Sequence, residues 1–392
     1  MNRLEITSPD RLLRQMLEEA AEAGASDIHI EPQESFVRVR FRKDGVLSDM
    51  FHLPPKSMNG LSVRTKVLGH MDVGESRLPQ DGSFSERLGR DTFDFRISIL
   101  PSLYGETIVI RLLSSRVDFI ENNDLGMLPL QEAVFRRALA ARRGMILTAG
   151  PTGSGKTSTL YAALKLLNQE SVSIISVEDP VEYHVPGVTQ IQVNEKAGLT
   201  FDNALRSIVR QDPDIIMIGE IRDRKTAEMA VHASLTGHLV LSTIHTNHAY
   251  EAPLRLMDMG IPSYLLSASL SLVMAQRLSP KLCKECRKEM TLTGEMAAEL
   301  RLPSSLAGSR VYESHGCSHC REGRQGRIGV FEMISIGKTE RALLHHDVDS
   351  DALKERMKET GQPSMGETAL LLMKEGLIGP KDASYILEGE DS

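Results

Sequence analysis

Tryptophan is absent from this chain of 392 residues, and all aromatic residues together make up only 4% of it. Proteins that bind single-stranded nucleic acid use stacking aromatic side chains and basic grooves. Here 46 Lys and Arg residues stand against 53 Asp and Glu residues, which leaves a net charge of −7 with no long basic block. Nucleic acid is therefore not an expected partner.

Long apolar runs are missing as well. No stretch reaches the roughly 18 to 20 apolar residues that cross a bilayer, and the start at Met1–Asp10 lacks the pattern of a signal peptide. The sequence predicts a cytoplasmic protein that meets a membrane only through other proteins. Its length suggests two or three globular domains.

Cysteine occurs only four times, in two pairs formed by Cys283 with Cys286 and by Cys317 with Cys320. Without an export signal the thiols are expected to stay reduced, so metal binding is favoured over disulfides. Each C-x-x-C makes a tight turn that presents two sulfurs, and two such turns supply the tetrahedral shell that Zn²⁺ prefers. We expect a structural zinc ion, since four thiolates leave no open position for catalysis.

The first part of the chain predicts a small α+β domain that ends near Arg116. A helix from about Asp10 to Ala23 is closed by Gly24, and Asp44-Gly45 supplies a hairpin turn. Strands are expected at Phe36–Phe41, Phe93–Leu100 and Thr107–Leu112. The polar stretch Glu121–Asp124 is the expected linker, and the tail from Glu388 to Ser392 is expected to fray.

From about Gly144, short apolar runs alternate with helical segments, which is typical of a mostly parallel sheet with helices on its faces. The expected strands are Met145–Ala149, Val172–Val177, Ile215–Ile218 and Leu239–Thr243. Each strand ends in a polar cluster, and open α/β sheets bind ligands beyond the carboxyl ends of their strands, so the clusters should converge. After about Gly260 the pattern becomes helical, with helices expected at Ser350–Thr360 and Thr368–Glu375.

A phosphate-binding loop pattern lies between the first of these strands and a helix that runs to about Leu167. It comprises Gly150, Pro151, Thr152, Gly153, Ser154, Gly155, Lys156, Thr157 and Ser158. The glycines let backbone N–H groups surround the β-phosphate, Lys156 neutralises charge on the β- and γ-phosphates, and Thr157 offers a hydroxyl to Mg²⁺. A chance glycine-rich turn would not come with this strand and helix, so ATP binding is expected.

Acidic residues follow the next two strands. The Glu-Asp-Pro sequence at Glu178 would alone indicate a strand end with a turn, but beside a phosphate-binding loop Glu178 becomes a candidate for catalysis. Glu220 can hold the water shell of Mg²⁺ or polarise the attacking water. The sequence does not decide which of the two activates water. Arg222 and Asp223 are expected to cap the following helix or to pair with each other.

Histidines flank the fourth strand. His238, at its start, is as well explained by a structural role as by a functional one. His245 lies at the ligand-facing end and is the better candidate for sensing the γ-phosphate.

In this order and spacing, the loop and the clusters at Glu178, Glu220 and His245 resemble the GspE/PilB family of type II secretion and type IV pilus assembly ATPases. They match its P-loop, aspartate box, acidic box and histidine box. The segment Gly24–Pro32 is similar to the opening of the family's PAS-like second N-terminal domain. The resemblance covers most of the chain.

The resemblance implies an α/β fold with a P-loop (RecA-like) ATPase core, a smaller α+β N-terminal domain and a helical C-terminal region that carries the four-cysteine zinc element. The expected boundaries are an N-terminal domain at 1–116, a linker at 117–126, the ATPase core at 127–278, the zinc-binding subdomain at 279–330 and the helical region at 331–392.

Two arginines are further candidates by resemblance. Arg96 and Arg111 lie in segments from which relatives supply arginine fingers to the nucleotide phosphates. A surface salt bridge is the competing interpretation for each. If they are fingers, ATP is expected between the N-terminal domain and the P-loop domain, so that hydrolysis changes the angle between them.

The resemblance also implies a homohexameric ring that hydrolyses ATP and drives an inner-membrane platform protein, which adds pilin-like subunits, in the company of other secretion or pilus components. A pilus-retraction ATPase is an alternative, although such relatives generally lack the four cysteines. A nucleic-acid translocase with a zinc ribbon is a second alternative, disfavoured by the composition.

Two departures from the family pattern stand out. Relatives usually carry a further N-terminal docking domain, so this chain is either shortened or belongs to a shorter branch. His248 stands where relatives more often have an acidic or small residue.

Overall fold

The structure is a computed structural model, and it describes residues 8–43, 45–89, 91–114, 125–320, 322–346 and 349–389. The chain forms two compact units, Met1–Val117 and Asp118–Ser392. Several expected features lie outside the described residues: Asp44 of the hairpin turn, the domain end at Arg116, the linker at Glu121–Asp124 and the tail residues 390–392.

The first described element of this unit is helix α1, Pro9–Ala23, and residues with known capping preferences mark both of its ends. The Ser8 side chain accepts a hydrogen bond from the backbone N–H of Arg11 at 3.3 Å, and Pro9 occupies the first turn, where no N–H is needed. Gly24 ends the helix in the left-handed conformation with φ of 68°. The apolar face of α1 packs on helix α2, Ser57–Leu68.

Within the described part of this unit, six antiparallel strands form one sheet. They are β1 Asp27–Pro32, β2 Val37–Lys43, β3 Val46–Leu53, β4 Gln80–Leu88, β5 Asp91–Ser102 and β6 Gly105–Ser114. Their order is β3-β2-β1-β6-β5-β4. The expected alternation is confirmed on β2, because Val37 and Val39 are buried while Arg38 and Arg40 lie on the opposite face and pair with Glu31.

Among the residues described for the second unit, seven strands form the central sheet. They are β7 Gly144–Ala149, β8 Ile174–Glu178, β9 Thr189–Gln192, β10 Ile215–Ile218, β11 Leu239–Ile244, β12 Leu270–Leu282 and β15 Arg324–Ser335. The order is β15-β12-β7-β11-β10-β8-β9, and all neighbours are parallel except β12 and β15. Every residue of β8, β10 and β11 is buried, as expected for a sheet covered on both faces.

Helices cover this sheet and form the end of the chain. They are α3 Pro129–Ala140, α4 Lys156–Leu167, α5 Phe201–Ile208, α6 Arg224–Leu235, α7 Ala252–Asp258, α8 Ser263–Ser269, α9 Gly294–Glu299, α10 Lys338–His346, α11 Ser350–Glu359, α12 Met365–Lys374 and α13 Pro380–Glu388. The four core strands and the helices at α4, α11 and α12 lie where the sequence predicted them, within three residues at each end.

The sequence prediction missed β12 and β15, which form a long antiparallel pair in the region expected to be helical after Gly260. Between them lie the cysteine pairs and a small sheet of β13, Lys288–Thr291, and β14, Arg310–Glu313. The helical C-terminal region therefore follows a strand that belongs to the central sheet. Within the ranges that the structure describes, no helix combines the length and apolarity of a membrane span.

Candidate nucleotide-binding site

The phosphate-binding loop joins β7 to α4 and depends on three glycines with positive φ. These are Gly150, Gly153 and Gly155, with φ of 142°, 80° and 89°. Only glycine adopts such angles without strain. A Cβ atom would also lie 2.6 Å from the carbonyl oxygen of Gln276 at Gly150, and 2.7 Å from the side-chain amide of Gln276 at Gly155. The loop therefore packs closely against Gln276 of β12, with no room for a side chain at Gly150 or Gly155.

Lys156 is the first residue of α4, and its side chain turns back into the loop. Its ammonium donates hydrogen bonds to the carbonyl oxygens of Gly150, at 2.7 Å, and Pro151, at 3.0 Å. Burial lowers the pKa of Lys156, while the carboxylate of Glu220 opposes this shift and Arg277 adds to it. A buried ammonium at a helix N-terminus is a strong site for a phosphate.

The carboxyl ends of β7, β8, β10 and β11 converge on one cavity of about 460 Å³. The predicted residues that line it are Thr152, Gly153, Ser154, Gly155, Lys156, Thr157, Ser158, Glu178, Glu220 and His245. Gly150 and Pro151 are not among the described residues that line the cavity, but their carbonyl oxygens accept hydrogen bonds from Lys156. The phosphate-binding loop, both candidate acidic residues and His245 thus line or adjoin one cavity, which is the candidate site.

Glu220 and His245 come together because β10 and β11 are neighbours. Nε2 of His245 lies 3.3 Å from Oε2 of Glu220, and the guanidinium of Arg222 contacts Oε1 of the same carboxylate. The hydrogen bond from Arg222 to Glu220 raises the pKa of the Arg222 guanidinium. Asp223 caps α6 by accepting from the N–H of Thr226 at 2.9 Å, as expected, but Arg222 pairs with Glu220 and not with Asp223.

Glu178 ends β8 and is only 2% exposed. One of its carboxylate oxygens accepts from the hydroxyl of Tyr161. The other accepts from the hydroxyl of Ser176 at 2.6 Å and from the side-chain amide of Gln190 at 3.2 Å. A buried carboxylate needs such donors, because an unpartnered charge in the interior is very costly.

The sequence analysis did not predict β12 and β15, and it therefore missed three polar residues that these strands place at the site: Gln276, Arg277 and Arg327. Gln276 on β12 accepts from the hydroxyl of Thr159 at 2.7 Å. Its neighbour Arg277 donates to Asn247 at 3.1 Å, and Arg327 on β15 lines the cavity. The signal was present, since a Gln-Arg pair follows the apolar run Leu272–Ala275 as polar clusters follow the other strands.

His238 and His248, the other two histidines that the sequence analysis named, have structural partners. Nδ1 of His238 lies 2.8 Å from the carbonyl oxygen of Ala233 and 3.1 Å from the hydroxyl of Thr236, which favours the structural interpretation. His248 is buried, stacks on Tyr250 and places Nδ1 3.4 Å from Oε2 of Glu332. The unusual His248 thus joins the histidine-box loop to β15.

Arg96 and Arg111 belong to the first unit, where they stand opposite each other on β5 and β6 and so share one face of the sheet. Nε of Arg111 is 2.9 Å from Oδ1 of Asp27, and the Arg111 side chain remains 58% exposed. The salt bridge that the sequence analysis left open is therefore present for Arg111.

The four cysteines form a compact cluster at the base of the β12–β15 pair. The Sγ atoms of Cys283 and Cys317 are 4.0 Å apart, those of Cys286 and Cys320 are 3.5 Å apart, and all four lie within 4.8 Å of one another. A disulfide needs about 2.05 Å between sulfurs, so these thiols are not bridged. Tetrahedral thiolates at about 2.3 Å from Zn²⁺ would be about 3.8 Å apart.

The sequence profile of the family described as "Type II/IV secretion system protein" matches residues 5–383. The chain belongs to this family. It is 42% identical to the type II secretion system ATPase E of Vibrio cholerae, over 96% of this chain and 75% of the relative. It is 39% identical to the type IV pilus assembly ATPase PilB of Pseudomonas aeruginosa, over 96% of this chain and 67% of the relative.

The fold agrees with this membership. The solved structure of the pilus retraction motor PilT with bound ADP covers 98% of this chain, and 97% of PilT is matched, at a TM-score of 0.67 and 26% identity. The α/β fold with a P-loop ATPase core and a second, smaller α+β unit is thus confirmed, as is the resemblance to secretion and pilus ATPases.

Proposed function

We propose that this protein is a motor that hydrolyses ATP to ADP and phosphate and thereby powers the assembly of pilin-like subunits, in type IV pilus biogenesis or type II protein secretion. The observation that carries the proposal is the convergence of Lys156, Glu178, Glu220 and His245 on one cavity. A phosphate-binding loop alone supports nucleotide binding, whereas acids beside it support attack by water.

In this proposal the residues divide the work of phosphoryl transfer. The loop amides and Lys156 hold the phosphates, and His245 responds to the γ-phosphate through its contact with Glu220. The hydroxyl of Thr157 and the carboxylate of Glu220 line the same cavity and are the hard oxygen donors that Mg²⁺ prefers. Bound Mg²⁺ would neutralise charge on the phosphate oxygens. Glu178 orients the attacking water and accepts its proton.

Arg96 and Arg111 act as arginine fingers in this proposal. Their opposite positions on neighbouring strands put two guanidinium groups on one face, and the exposure of Arg111 leaves donors beyond its contact with Asp27. A phosphate would compete with Asp27 for this guanidinium.

The proposed working form is a homohexamer at the cytoplasmic face of the inner membrane, bound there through a platform protein and other secretion or pilus components. Relatives named for secretion and for pilus assembly, at 42% and 39% identity, support this setting. Retraction is the second candidate, supported by the fold of PilT at 26% identity. The higher identities and the four-cysteine cluster favour assembly.

We further propose that the cysteine cluster holds one structural Zn²⁺. The sulfur distances of 3.5 to 4.0 Å support this proposal, since they agree with the edges of a tetrahedron of thiolates. The metal would tie the ends of β12 and β15 and has no part in hydrolysis.

The proposed function is tested by measuring phosphate release from ATP with and without Mg²⁺, together with the mass of the protein in solution with ATP bound. We expect Mg²⁺-dependent turnover and a species of about six times the chain mass. Tight ATP binding without any turnover in a monomer would contradict the motor and leave only a nucleotide-binding protein.

A further inference from the structure

Tyr161 lies in the middle of α4, the helix that follows the phosphate-binding loop, and its side chain is completely buried. Its neighbours in sequence are apolar, so the pattern alone indicates an ordinary core residue. A buried phenol hydroxyl needs hydrogen-bond partners. The partners described for Tyr161 lie on β8, on the segment between β8 and β9, and on β9 itself, where the side-chain amide of Gln190 donates to the hydroxyl at 3.4 Å.

The first partner is a candidate catalytic residue. The hydroxyl of Tyr161 donates to Oε2 of Glu178, while Ser176 and Gln190 donate to Oε1. All three groups donate, so both carboxylate oxygens of Glu178 act as hydrogen-bond acceptors. Burial and the Glu178 carboxylate raise the pKa of Tyr161, so the phenol keeps the proton that it donates.

The same hydroxyl oxygen also faces the segment after β8. The backbone N–H groups of Glu182 and Tyr183 lie 3.2 and 3.3 Å from it, and the Tyr183 ring packs edge-on at 5.3 Å between centroids. Glu178, Glu182 and Tyr183 all line the cavity, whereas Tyr161 is not among the described residues that do. Tyr161 therefore reaches the site only through groups that it holds.

We propose that Tyr161 is a positioning residue, whose hydroxyl fixes the carboxylate of Glu178 and the adjoining backbone relative to the phosphate-binding helix. The proposal rests on the proposed ATP hydrolysis. Lys156 and Tyr161 are five residues apart on α4, or about 7.5 Å along the helix axis. One helix thus fixes the position of Lys156 in the phosphate-binding loop and, through Tyr161, the position of the Glu178 carboxylate. Attack by water requires that such groups be placed precisely relative to each other.

The direct test is Tyr161→Phe, which keeps the ring and removes only the hydroxyl. Loss of one hydrogen bond to a charged group should lower kcat by about 10- to 100-fold. The KM for ATP and the affinity for a fluorescent ATP analogue should change by less than about twofold, because the phosphate loop is untouched. Tyr312→Phe is the matched control, since Tyr312 stacks on Arg287 in the cysteine-bearing region, and it should keep full turnover.

A second readout separates positioning from a structural role. If Tyr161 acts through Glu178, then Tyr161→Phe should cause no further loss of turnover in a Glu178→Gln background. A second loss of equal size there, or a loss of ATP affinity together with turnover, would assign Tyr161 to the core alone. The variant Lys156→Ala tests the proposed ATP hydrolysis separately from the role of Tyr161. If it is inactive while Tyr161→Phe has normal turnover, the positioning role is wrong and the ATPase stands. If Lys156→Ala keeps full turnover, the proposed site itself is wrong.

Discussion

In the six-stranded sheet of the first unit, the charged side chains of Glu31, Arg38 and Arg40 share one face, whereas the parallel strands β7, β8, β10 and β11 of the second unit carry the charged residues of the site at or beyond their carboxyl ends. Arg38 and Arg40 pair with Glu31 across neighbouring strands of the first sheet. Glu178 ends β8, Glu220 lies two residues beyond the end of β10, and both line one cavity.

The difference follows from how each sheet is covered. An antiparallel sheet with one open face can leave charges in water on that face, where neighbouring pairs contribute little. The parallel strands β8, β10 and β11 are buried along their whole length, so the charged residues of the site lie at or beyond their carboxyl ends. The charges on the open face pair with one another, whereas Glu178 and Glu220 have partners and also line the cavity.

The largest expected effect comes from breaking the cluster at the strand ends. Lys156→Ala removes the buried ammonium from the phosphate-binding loop, and steady-state ATP hydrolysis should fall by about 100- to 1,000-fold. Lys165→Ala is the matched control, because Lys165 is exposed in the last turn of the same helix, and it should retain the rate of the unmodified protein. Equal rates for both variants would remove Lys156 from the site.

The cysteine cluster extends the comparison, since it too lies at strand ends: Cys283 follows β12 directly, and Cys320 precedes β15. Replacing Cys283 and Cys317 together by Ser should release one zinc ion per chain and lower the melting temperature by at least about 5 °C. Elemental analysis and a thermal scan measure the two effects. Absence of zinc from the unmodified protein would contradict the proposed metal.

The two faces of the first sheet offer a sharper contrast. Ile110→Ala leaves a cavity beneath a fully buried position and should cost about 2 to 4 kcal/mol of local stability. Arg38→Ala breaks a partly exposed ion pair and should cost at most about 1 kcal/mol. Hydrogen exchange of the amides in β1, β2 and β6 measures both. Equal costs would mean that the charged face stabilises the sheet as much as the core does.

The smallest expected effect on turnover comes from Arg111. This prediction tests whether Arg111, unlike Arg38 and Arg40 of the same sheet, contacts the nucleotide. Arg111→Gln should lower ATP turnover by at least about tenfold if Arg111 reaches a phosphate. Asp27→Asn breaks the same ion pair but leaves the guanidinium, so it should have little effect on turnover. Equal losses in the two variants would point to the salt bridge and not to an arginine finger.

Much of this arrangement could be predicted from local sequence. The strands at β7, β8, β10 and β11 are short apolar runs between turn signals, and the phosphate-binding loop has a fixed glycine spacing. Because parallel strands end at one edge of a sheet, the meeting of Glu178, Glu220 and His245 followed from their positions.

The rest depends on contacts between distant parts of the chain. The strands β12 and β15 pair across about forty residues of insertion, so their long-range hydrogen bonds left no local signature that outweighed the helical pattern around them. Gln276 and Arg327 were missed with them. Tyr161 looks like any core aromatic residue until its hydroxyl is seen on Glu178. The choice of Glu220 over Asp223 as the partner of Arg222 was also set by three-dimensional geometry.

The most direct test of the proposed site is the comparison of ATP binding and ATP hydrolysis in the unmodified protein and in Glu220→Gln. Glutamine keeps the size of the side chain but removes the charge that His245 and Arg222 contact. We predict that the variant binds ATP with an affinity within about threefold of the unmodified protein and loses at least about 100-fold in turnover. Full turnover in Glu220→Gln would contradict the proposal that the strand ends of this sheet form an ATP-hydrolysing site.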